Sequence, residues 1–413
     1  MNSYPGRKRK FIILGLLFVG MILSFFDRLA INVGIIPIEE EFQLNPSQTG
    51  LLISAFFFSY SIMQLLGGWL TDKFGARIMI TISLISWSVF TMLTGFAWSF
   101  SSLLCIRFLF GLGEGPFHSA AILSIYETFP EKERGRANSF FMSAQSIGGV
   151  LGSVVAASLI VILGWRGMFI SLGIPGFFIA FIFWFVLKPQ DIKTIEKSNQ
   201  KMNKVALKEL FKLDNTWKIV FTKFFASIVN WGLISWMPIY LVKEKGLDLV
   251  SAGGLIVIPY IASFIMFNLN GWLLDKYMIG TEKYLVITGS VLTAVFIILM
   301  SNATNVAFFI TFFTLTAMSI SFIGTTLLTI VLKYGPKEVI GSISGLVSFS
   351  SQVAGAISPA VIGLIISFFN GSYDAAFWLL VVSACLAAVI GFTLNSNNKT
   401  HSSRKQIKKA ISN

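Results

Sequence analysis

Long apolar blocks dominate the chain, and several of them carry no charge over more than a dozen positions. The charge-free blocks include residues 14–26, 51–66, 172–187 and 377–394. A helix needs about 20 mostly apolar residues to cross the hydrocarbon core of a bilayer. The strands of a transmembrane barrel would instead alternate in segments of about ten residues. The pattern therefore predicts an all-α membrane protein.

We predict twelve membrane-spanning helices from these blocks. Their approximate ranges are 11–36, 47–71, 78–97, 101–126, 138–162, 167–187, 216–241, 251–274, 284–301, 305–332, 340–368 and 375–394. The first block occupies the position of a signal peptide, but it is too long and contains Asp27 and Arg28. We therefore interpret it as a retained helix.

A polar, lysine-rich segment at 188–215 divides the twelve spans into six and six. Residues 68–74 (Gly-Trp-Leu-Thr-Asp-Lys-Phe) recur as residues 271–277 (Gly-Trp-Leu-Leu-Asp-Lys-Tyr), after the second span of each half. We predict two six-helix halves related by a parallel repeat, at 1–187 and 216–394, with a basic tail at 395–413.

Positive charge is concentrated on one side of this topology. That side holds 26 Lys and Arg, whereas the other holds three, namely Arg166, Lys243 and Lys245. The positive-inside rule then places both termini in the cytoplasm. Topology thus explains the net charge of +13, and no nucleic-acid partner is implied. We expect a multi-pass protein of the plasma membrane, with the lipid bilayer around it.

The sequence carries no motif for catalysis or cofactor binding. It has no P-loop, no His-Glu-x-x-His pattern and no cysteine cluster. Cys105 and Cys385 lie inside apolar blocks, and we interpret them as small buried hydrophobes. We therefore predict a protein that is not an enzyme and that uses no cofactor or metal.

Asp27 and Arg28 interrupt the apolar first span. An ionisable residue deep in a membrane helix is costly and is a functional candidate by default. Neighbours on a helix point about 100° apart, so these two side chains need different partners. Arg28 offers a planar cation suited to a carboxylate, and Asp27 is a candidate proton carrier. A structural ion pair with another helix is the alternative.

Arg107 and Glu114 lie two turns apart in the fourth span and share one face. Glu114 is a candidate coupling carboxylate, and a static polar network with Arg107 is the alternative. Gly111 and Gly115 between and beside them form a stripe of small residues, which predicts close packing against another helix.

Lys223 lies about two turns into the seventh span. It either contacts an anion or extends to the membrane interface. His118, one turn after Glu114, is interpreted as a packing residue, with a proton relay as the alternative. Other polar side chains on the spans could line a cavity or bond between helices; they are Tyr60, Gln64, Gln145, Asn230, Ser348 and Gln352.

The loop after the second span has the pattern Gly68-x-x-x-Asp72-Lys73-x-Gly75-x-Arg77. Glycine permits a tight turn and close helix approach, and the basic residues hold the cytoplasmic side. The loop resembles the major facilitator signature between the second and third helices, which implies that it belongs to a cytoplasmic gate and does not contact substrate. A simple basic turn is the alternative.

These residues together resemble the anion:cation symporter family of the major facilitator superfamily. The matching segments are residues 26–31 (Phe-Asp-Arg-Leu-Ala-Ile), 54–64 with 67–69 (Gly-Gly-Trp), 107–116 (Arg-Phe-Leu-Phe-Gly-Leu-Gly-Glu-Gly-Pro), 164–166 (Gly-Trp-Arg) and 236–241 (Trp-Met-Pro-Ile-Tyr-Leu). The family includes bacterial hexuronate, galactonate and glucarate permeases. The likeness extends from the first to the eleventh span.

The resemblance implies a role for individual residues. Arg28 would hold the substrate carboxylate, Asp27 and Glu114 would carry protons, and Arg107 would be coupled to Glu114. Polar contacts to the sugar-acid chain would come from Tyr60 and Gln145. Lys223 resembles a lysine of hexuronate-type members, whereas Ser348 stands where many members have asparagine.

The function that follows is secondary active transport of a small organic anion with protons, by alternating access. A sugar acid such as a hexuronate or aldonate, or a related carboxylate, is the expected substrate, carried by a monomer. Export or exchange of organic anions or drugs on the same fold is the alternative.

Overall fold

The computed structural model describes residues 7–187, 214–278, 280–334 and 340–394. Within these ranges every regular element is an α-helix. The helices are α1 (Arg7–Phe42), α2 (Pro46–Phe74), α3 (Ala76–Gly95), α4 (Phe100–Thr128), α5 (Glu131–Val186), α6 (Asp214–Lys243), α7 (Leu249–Lys276), α8 (Glu282–Ser301), α9 (Val306–Tyr334), α10 (Ile340–Phe368) and α11 (Asp374–Phe392). The predicted tail and almost all of the predicted linker lie outside the described residues.

Helix α5 contains the fifth and sixth predicted spans. It runs for 56 residues, but Gly164 adopts non-helical backbone angles (φ 69°, ψ 169°) inside it. A positive φ is readily adopted only by glycine, so Gly164 is the corner between two spans. With α5 counted as two spans, the described helices supply the twelve that the apolar blocks predict.

Ten of the described helices are long and apolar enough to cross a membrane. The helix outside that set is α4, which is 29 residues long but carries Arg107, Glu114 and Glu127. Two of these three charged residues, Arg107 and Glu114, are the ones that the sequence marks as functional candidates. The helices also extend a few residues beyond the predicted spans, since α1 reaches from Arg7 to Phe42 rather than from 11 to 36.

Local sequence explains where two of these helices begin. Asn45 Oδ1 accepts a hydrogen bond from Gln48 N (2.9 Å), and Gln48 Oε1 accepts one from Asn45 N (3.0 Å). This reciprocal capping box, with Pro46 in the first turn, starts α2. Ser99 and Ser102 form the equivalent pair at the start of α4.

The internal repeat is visible in side-chain geometry. Lys73 Nζ lies 5.1 Å from the ring centroid of Trp69 and 5.2 Å from that of Phe74. In the second copy, Lys276 Nζ lies 5.3 Å from the ring centroid of Trp272 and 5.1 Å from that of Tyr277. The two copies therefore share one arrangement of lysine between two rings.

The chain divides into two compact units. The first contains Met1–Ile192 and Ser235–Val257, and the second contains Lys193–Ile234 and Ile258–Asn413. In the first unit α1 and α3 pack along α5, and α2 packs along α4; in the second, α8 packs along α9 and α11. The segment 235–257, which joins α6 to α7, has its contacts in the first unit.

Glycines allow α2 and α4 to pack backbone against backbone. A Cβ atom on Gly111 would lie 2.4 Å from Phe56 O and 2.2 Å from Ser59 Oγ, and one on Gly115 would lie 2.4 Å from Met63 Cβ. Real Cβ atoms do not approach other atoms this closely, so any side chain would separate the helices. The predicted close packing at Gly111 and Gly115 is confirmed, and its partner is α2.

The predicted burial of the two cysteines is wrong. Cys105 and Cys385 are both exposed at the surface of the protein. An apolar helix in a membrane protein turns part of its apolar surface toward lipid, so an apolar neighbourhood in sequence does not imply burial within the protein.

Candidate functional site

Asp27 and Arg28 lie at the middle of α1 and are both buried, with 2% and 4% of their surface exposed. They contact different helices, as their spacing predicts. Arg28 Nη2 donates to Glu114 Oε1 of α4 at 2.6 Å. Asp27 Oδ2 accepts a hydrogen bond from Thr91 Oγ1 of α3 at 3.4 Å. The two charges of α1 are thus held by two separate neighbours.

Glu114 is bound through one carboxylate oxygen. Oε1 accepts hydrogen bonds from both Arg28 Nη2 and Ser24 Oγ. Glu114 is only 1% exposed and Ser24 only 2%. Ser24 and Arg28 are four residues apart on α1, so they lie on one face and reach the same oxygen.

Aromatic rings surround the two guanidinium groups. The Arg28 guanidinium carbon lies 4.5 Å from the ring centroid of Tyr60, 4.8 Å from that of Phe25 and 5.1 Å from that of Phe56. The Arg107 guanidinium carbon lies 5.0 Å from the ring centroid of Phe110 and 5.6 Å from that of Phe56. Ring faces are electron-rich and attract cations in this geometry. The ring faces stabilise the charge of both arginines, and Tyr60 also forms a side-chain hydrogen bond with Arg28.

Four buried atoms of this network make no hydrogen bond within the described ranges. They are Asp27 Oδ1, Glu114 Oε2, Arg28 Nε and Arg107 Nε. A buried charged group with a missing partner is costly, and native interiors satisfy most such atoms. Two carboxylate oxygens can each accept a proton, and two guanidinium donors can each bind an anion. We call Asp27, Arg28, Tyr60, Arg107 and Glu114 the α1–α4 charge network.

The sequence predicted every member of this network. It did not predict that Glu114 forms its ion pair with Arg28; Arg107 has no ion pair among the residues that the structure describes. Sequence reasoning also missed Ser24 and Thr91, because hydroxyl side chains are common on membrane helices. The available signal was the spacing of four residues from Ser24 to Arg28.

Two other predicted residues of the first unit make local contacts. Gln145 is half-buried on α5, and its amide nitrogen lies 3.6 Å from Met142 Sδ in the same helix. His118 is half-buried on α4, with its ring 6.0 Å from the ring of Phe141. The packing interpretation of His118 agrees with this contact.

In the second unit, serine hydroxyls form two hydrogen bonds between α6 and α10. Ser227 Oγ and Ser351 Oγ are 2.8 Å apart, and Ser358 Oγ donates to Ile228 O at 2.7 Å. Lys223 lies one turn before Ser227 on α6, and Ser348 lies one turn before Ser351 on α10. Ser348 is exposed and Lys223 is half-buried.

The Lys223 ammonium lies beside α9. A Cβ atom on Gly324 would be 3.6 Å from Lys223 Nζ. Gly324 lies ten residues before the end of α9 at Tyr334, which is about 15 Å along the helix axis. Anion contact and extension to the membrane interface both stay predictions for Lys223. Lys223 forms no ion pair within the described part of the chain.

The motif from Gly68 to Arg77 covers the end of α2, the turn at Gly75 and the start of α3. Gly75 has a φ of 81° and donates its N–H to Thr71 O at 2.8 Å. Arg77 Nε donates to Trp184 O at 2.9 Å, and its guanidinium carbon lies 4.1 Å from the Trp184 ring centroid. The motif thus attaches this turn to the end of α5. Asp72 and Lys73 are exposed, and a Cβ on Gly68 would meet open space.

Two ion pairs join the C-terminal end of α1 to neighbouring helices of the first unit. Glu39 of α1 is buried and binds Lys243 Nζ at the end of α6, and it accepts a hydrogen bond from Thr49 Oγ1 of α2. Glu41 binds Arg166, whose Nη1 also donates to Ala97 O at 2.6 Å. These pairs join α1 to α2, α6 and the corner of α5.

Arginines and carboxylates that are buried on long apolar helices are typical of membrane carriers. The chain belongs to the Major Facilitator Superfamily, whose family model matches residues 17–359. It is therefore a multi-pass membrane transporter and not an enzyme, and the predicted twelve-helix fold of this superfamily is confirmed.

Characterised relatives cover almost the whole chain. A probable sulfoacetate transporter of Cupriavidus necator is 31% identical, covering 90% of both chains. A hexuronate transporter of Bacillus subtilis is 28% identical over 92% of this chain and 94% of its own. A probable L-galactonate transporter of Escherichia coli is 27% identical over 90% and 86%. These names agree with the family resemblance.

A solved structure supports the same fold. An inward-facing, occupied bacterial homologue of the human lysosomal transporter Spinster matches with a TM-score of 0.81. It is 19% identical and covers 94% of this chain and 97% of its own.

Proposed function

We propose that this transporter is a proton-coupled symporter that imports a small organic anion, a sugar acid or a related carboxylate. One observation carries the proposal: Arg28, a buried planar cation, has Glu114 as its ion-pair partner. A substrate carboxylate and Glu114 therefore compete for the same guanidinium group.

The charges of the α1–α4 charge network balance. Two arginines and two carboxylates sum to zero when all four are ionised. A bound monoanion makes the network negative by one charge, and one proton restores neutrality. Because an unbalanced charge inside a membrane protein is costly, the loaded network reorients most easily with one proton per anionic charge.

Competition at Arg28 supplies the coupling step. When a substrate carboxylate binds Arg28, Glu114 loses its nearest cation. An isolated buried carboxylate favours its neutral form, so Glu114 takes a proton. Release of the substrate returns Arg28 to Glu114, which then gives up the proton. Asp27, with one oxygen bound by Thr91 and one without a partner, is the second candidate proton carrier.

The relatives narrow the substrate class. Hexuronate and galactonate each combine a carboxylate with a short hydroxylated chain, whereas sulfoacetate carries two anionic groups joined by one methylene. Arg28 would bind the anionic head, and polar side chains would contact the rest: Tyr60, Gln145, Lys223 and Ser348. Lys223 offers a cation to a substrate that carries a second anionic group.

The remaining parts of the proposal concern orientation in the membrane, alternating access, the gate and the oligomeric state. Both termini lie in the cytoplasm of a plasma-membrane protein, supported by the 26-to-3 distribution of Lys and Arg. Transport proceeds by alternating access, with the predicted halves 1–187 and 216–394 separated in sequence by segment 188–215. The motif of Gly68, Asp72, Lys73, Gly75 and Arg77 forms part of the cytoplasmic gate. We propose that the protein works as a monomer.

Uptake into proteoliposomes tests the function. We expect labelled galactonate, glucuronate or sulfoacetate to accumulate above equilibrium when the outside is made acidic, and a protonophore to abolish accumulation. Uptake that needs a preloaded anion would instead identify an exchanger, and accumulation driven by an acidic interior would identify proton antiport, which is the export alternative. No accumulation of any of these acids by folded, oriented protein would contradict proton symport.

A further inference from the structure

Ser24 differs from most hydroxyl side chains in these helices. Helical serines usually donate to a carbonyl of their own preceding turn. Ser290, Ser319 and Ser321 do so, each to the residue four positions earlier. Ser24 instead donates across to α4, to the carboxylate oxygen Glu114 Oε1.

The contact is fully enclosed. Both side chains are less than 3% exposed. The same oxygen also accepts from Arg28, whereas Oε2 has no hydrogen-bond partner in the described ranges. Two donors from one face of α1 therefore bind Glu114 Oε1. The other oxygen, Oε2, has a lone pair available to accept a proton.

We propose that Ser24 is a positioning residue that keeps Glu114 Oε1 in place when Arg28 turns to substrate, and directs the proton to Oε2. The inference rests on the proposed proton coupling through Glu114. Once Arg28 is occupied by an anion, Ser24 is the remaining donor to Oε1. It stabilises the ionised carboxylate and so sets the pH at which Glu114 becomes protonated.

Other charged groups also act on Glu114, and none of them replaces Ser24. The charged and titratable side chains around it come from three helices: Asp27 and Arg28 of α1, Tyr60 of α2, and Arg107 and His118 of α4. Among them only Arg28 forms a hydrogen bond to Glu114 in the described structure. Among the described residues Ser24 is the one neutral donor to Glu114. Its hydroxyl can therefore donate whether or not the neighbouring groups are charged.

Removal of the hydroxyl should shift proton binding without changing the net charge. Ser24→Ala takes one donor from the ionised carboxylate, so protonation should occur at a pH higher by about one unit. Ser24→Thr keeps the hydroxyl and should restore the wild-type midpoint. Ser83→Ala is the matched control, because Ser83 is equally buried on α3 and its hydroxyl has no partner among the described residues.

Infrared titration of the protonated carboxyl band measures this midpoint directly in reconstituted protein, without transport. The Glu114 band is the one absent from Glu114→Gln. An upward shift in Ser24→Ala, with none in Ser83→Ala, supports the proposal, and an unshifted midpoint overturns it. If Ser24→Ala does not fold, Ser24→Cys keeps the volume with a weaker donor; a smaller upward shift is expected, and an unshifted midpoint again overturns the proposal.

The pH profile of uptake is the second measurement. Gradient-driven uptake by Ser24→Ala should reach half its maximum at less acidic external pH, while substrate exchange at equal pH is retained. A purely structural role would lower the maximal rate and leave the profile in place. An infrared shift without any pH-driven uptake in wild type would retain Ser24 as a positioning residue and reject proton symport instead.

Discussion

Arg28 and Arg107 lie against the same ring: their guanidinium carbons are 5.1 Å and 5.6 Å from the centroid of Phe56. Two like charges buried side by side repel each other. The Phe56 ring attracts both cations and so offsets part of this repulsion. Phe56 therefore allows one bundle to contain two arginines when only one of them has an ion-pair partner in the described structure.

Phe56→Leu should weaken substrate binding by about 1 kcal/mol, or about fivefold, because both arginines lose a ring face. The change is measured as the half-saturation concentration for uptake. Phe169→Leu is the control, since Phe169 is also fully buried but contacts no cation in the described part of the chain. Equal effects of the two substitutions would mean that Phe56 contributes packing alone.

Arg28→Lys should lower substrate affinity about ten- to hundredfold although the charge is retained, because a lysine cannot form the planar two-pronged contact with a carboxylate. Uptake and binding are measured on folded, reconstituted protein. Arg136→Lys, at an exposed position on α5, should behave as wild type. Wild-type affinity in Arg28→Lys would remove Arg28 from the binding site.

Glu114→Gln should abolish accumulation driven by a pH gradient and retain exchange of labelled for unlabelled substrate. Exchange never requires the empty carrier to return, so it does not require a proton to leave. Asp27→Asn should show the same separation if Asp27 carries a proton, and should lose both activities if it orients Arg28. Full pH-driven accumulation in both single variants would show that the coupling does not pass through these carboxylates.

Gly111→Ala should destabilise the protein by about 1–3 kcal/mol, because a Cβ there overlaps Ser59 Oγ and Phe56 O. The measurement is the thermal unfolding midpoint in detergent. Gly254→Ala serves as the comparison, because a Cβ at Gly254 meets open space. The packing argument fails if both variants unfold at the same temperature.

Single cysteines at Asn2 and Asn413 should not react with a membrane-impermeant reagent added outside intact cells. Cys105 and Cys385 are exposed, so both must first be replaced by serine. Labelling after permeabilisation is the positive control. Efficient labelling of either terminus in intact cells would reverse the proposed orientation.

The fold could be predicted because membrane helices have a strong sequence signature. Apolar length and the distribution of lysine and arginine are local properties, and they identify the spans without knowledge of packing. Buried charges such as Arg28 and Glu114 are equally visible, since a charge in an apolar block has few structural uses. The charged members of the candidate site could therefore be named from the sequence, whereas Ser24 and Thr91 could not.

The contacts within the site could not be predicted in the same way. Whether Glu114 binds Arg28 or Arg107 depends on the distance between α1 and α4, which no periodicity encodes. The hydrogen bond of Ser24 depends on the same distance. The exposure of Cys105 was missed because lipid and protein interior select the same apolar residues.

The glycine contacts between α2 and α4 also limit how this carrier can change its substrate. The two helices that hold Tyr60, Arg107 and Glu114 touch through their backbones, so neither can move aside for a bulkier ligand. Variants selected for uptake of a larger acid should accordingly accumulate substitutions on other helices. Gly111 and Gly115 should stay unchanged throughout such a selection, because a substitution at either destabilises the packing of α2 against α4 without enlarging the site.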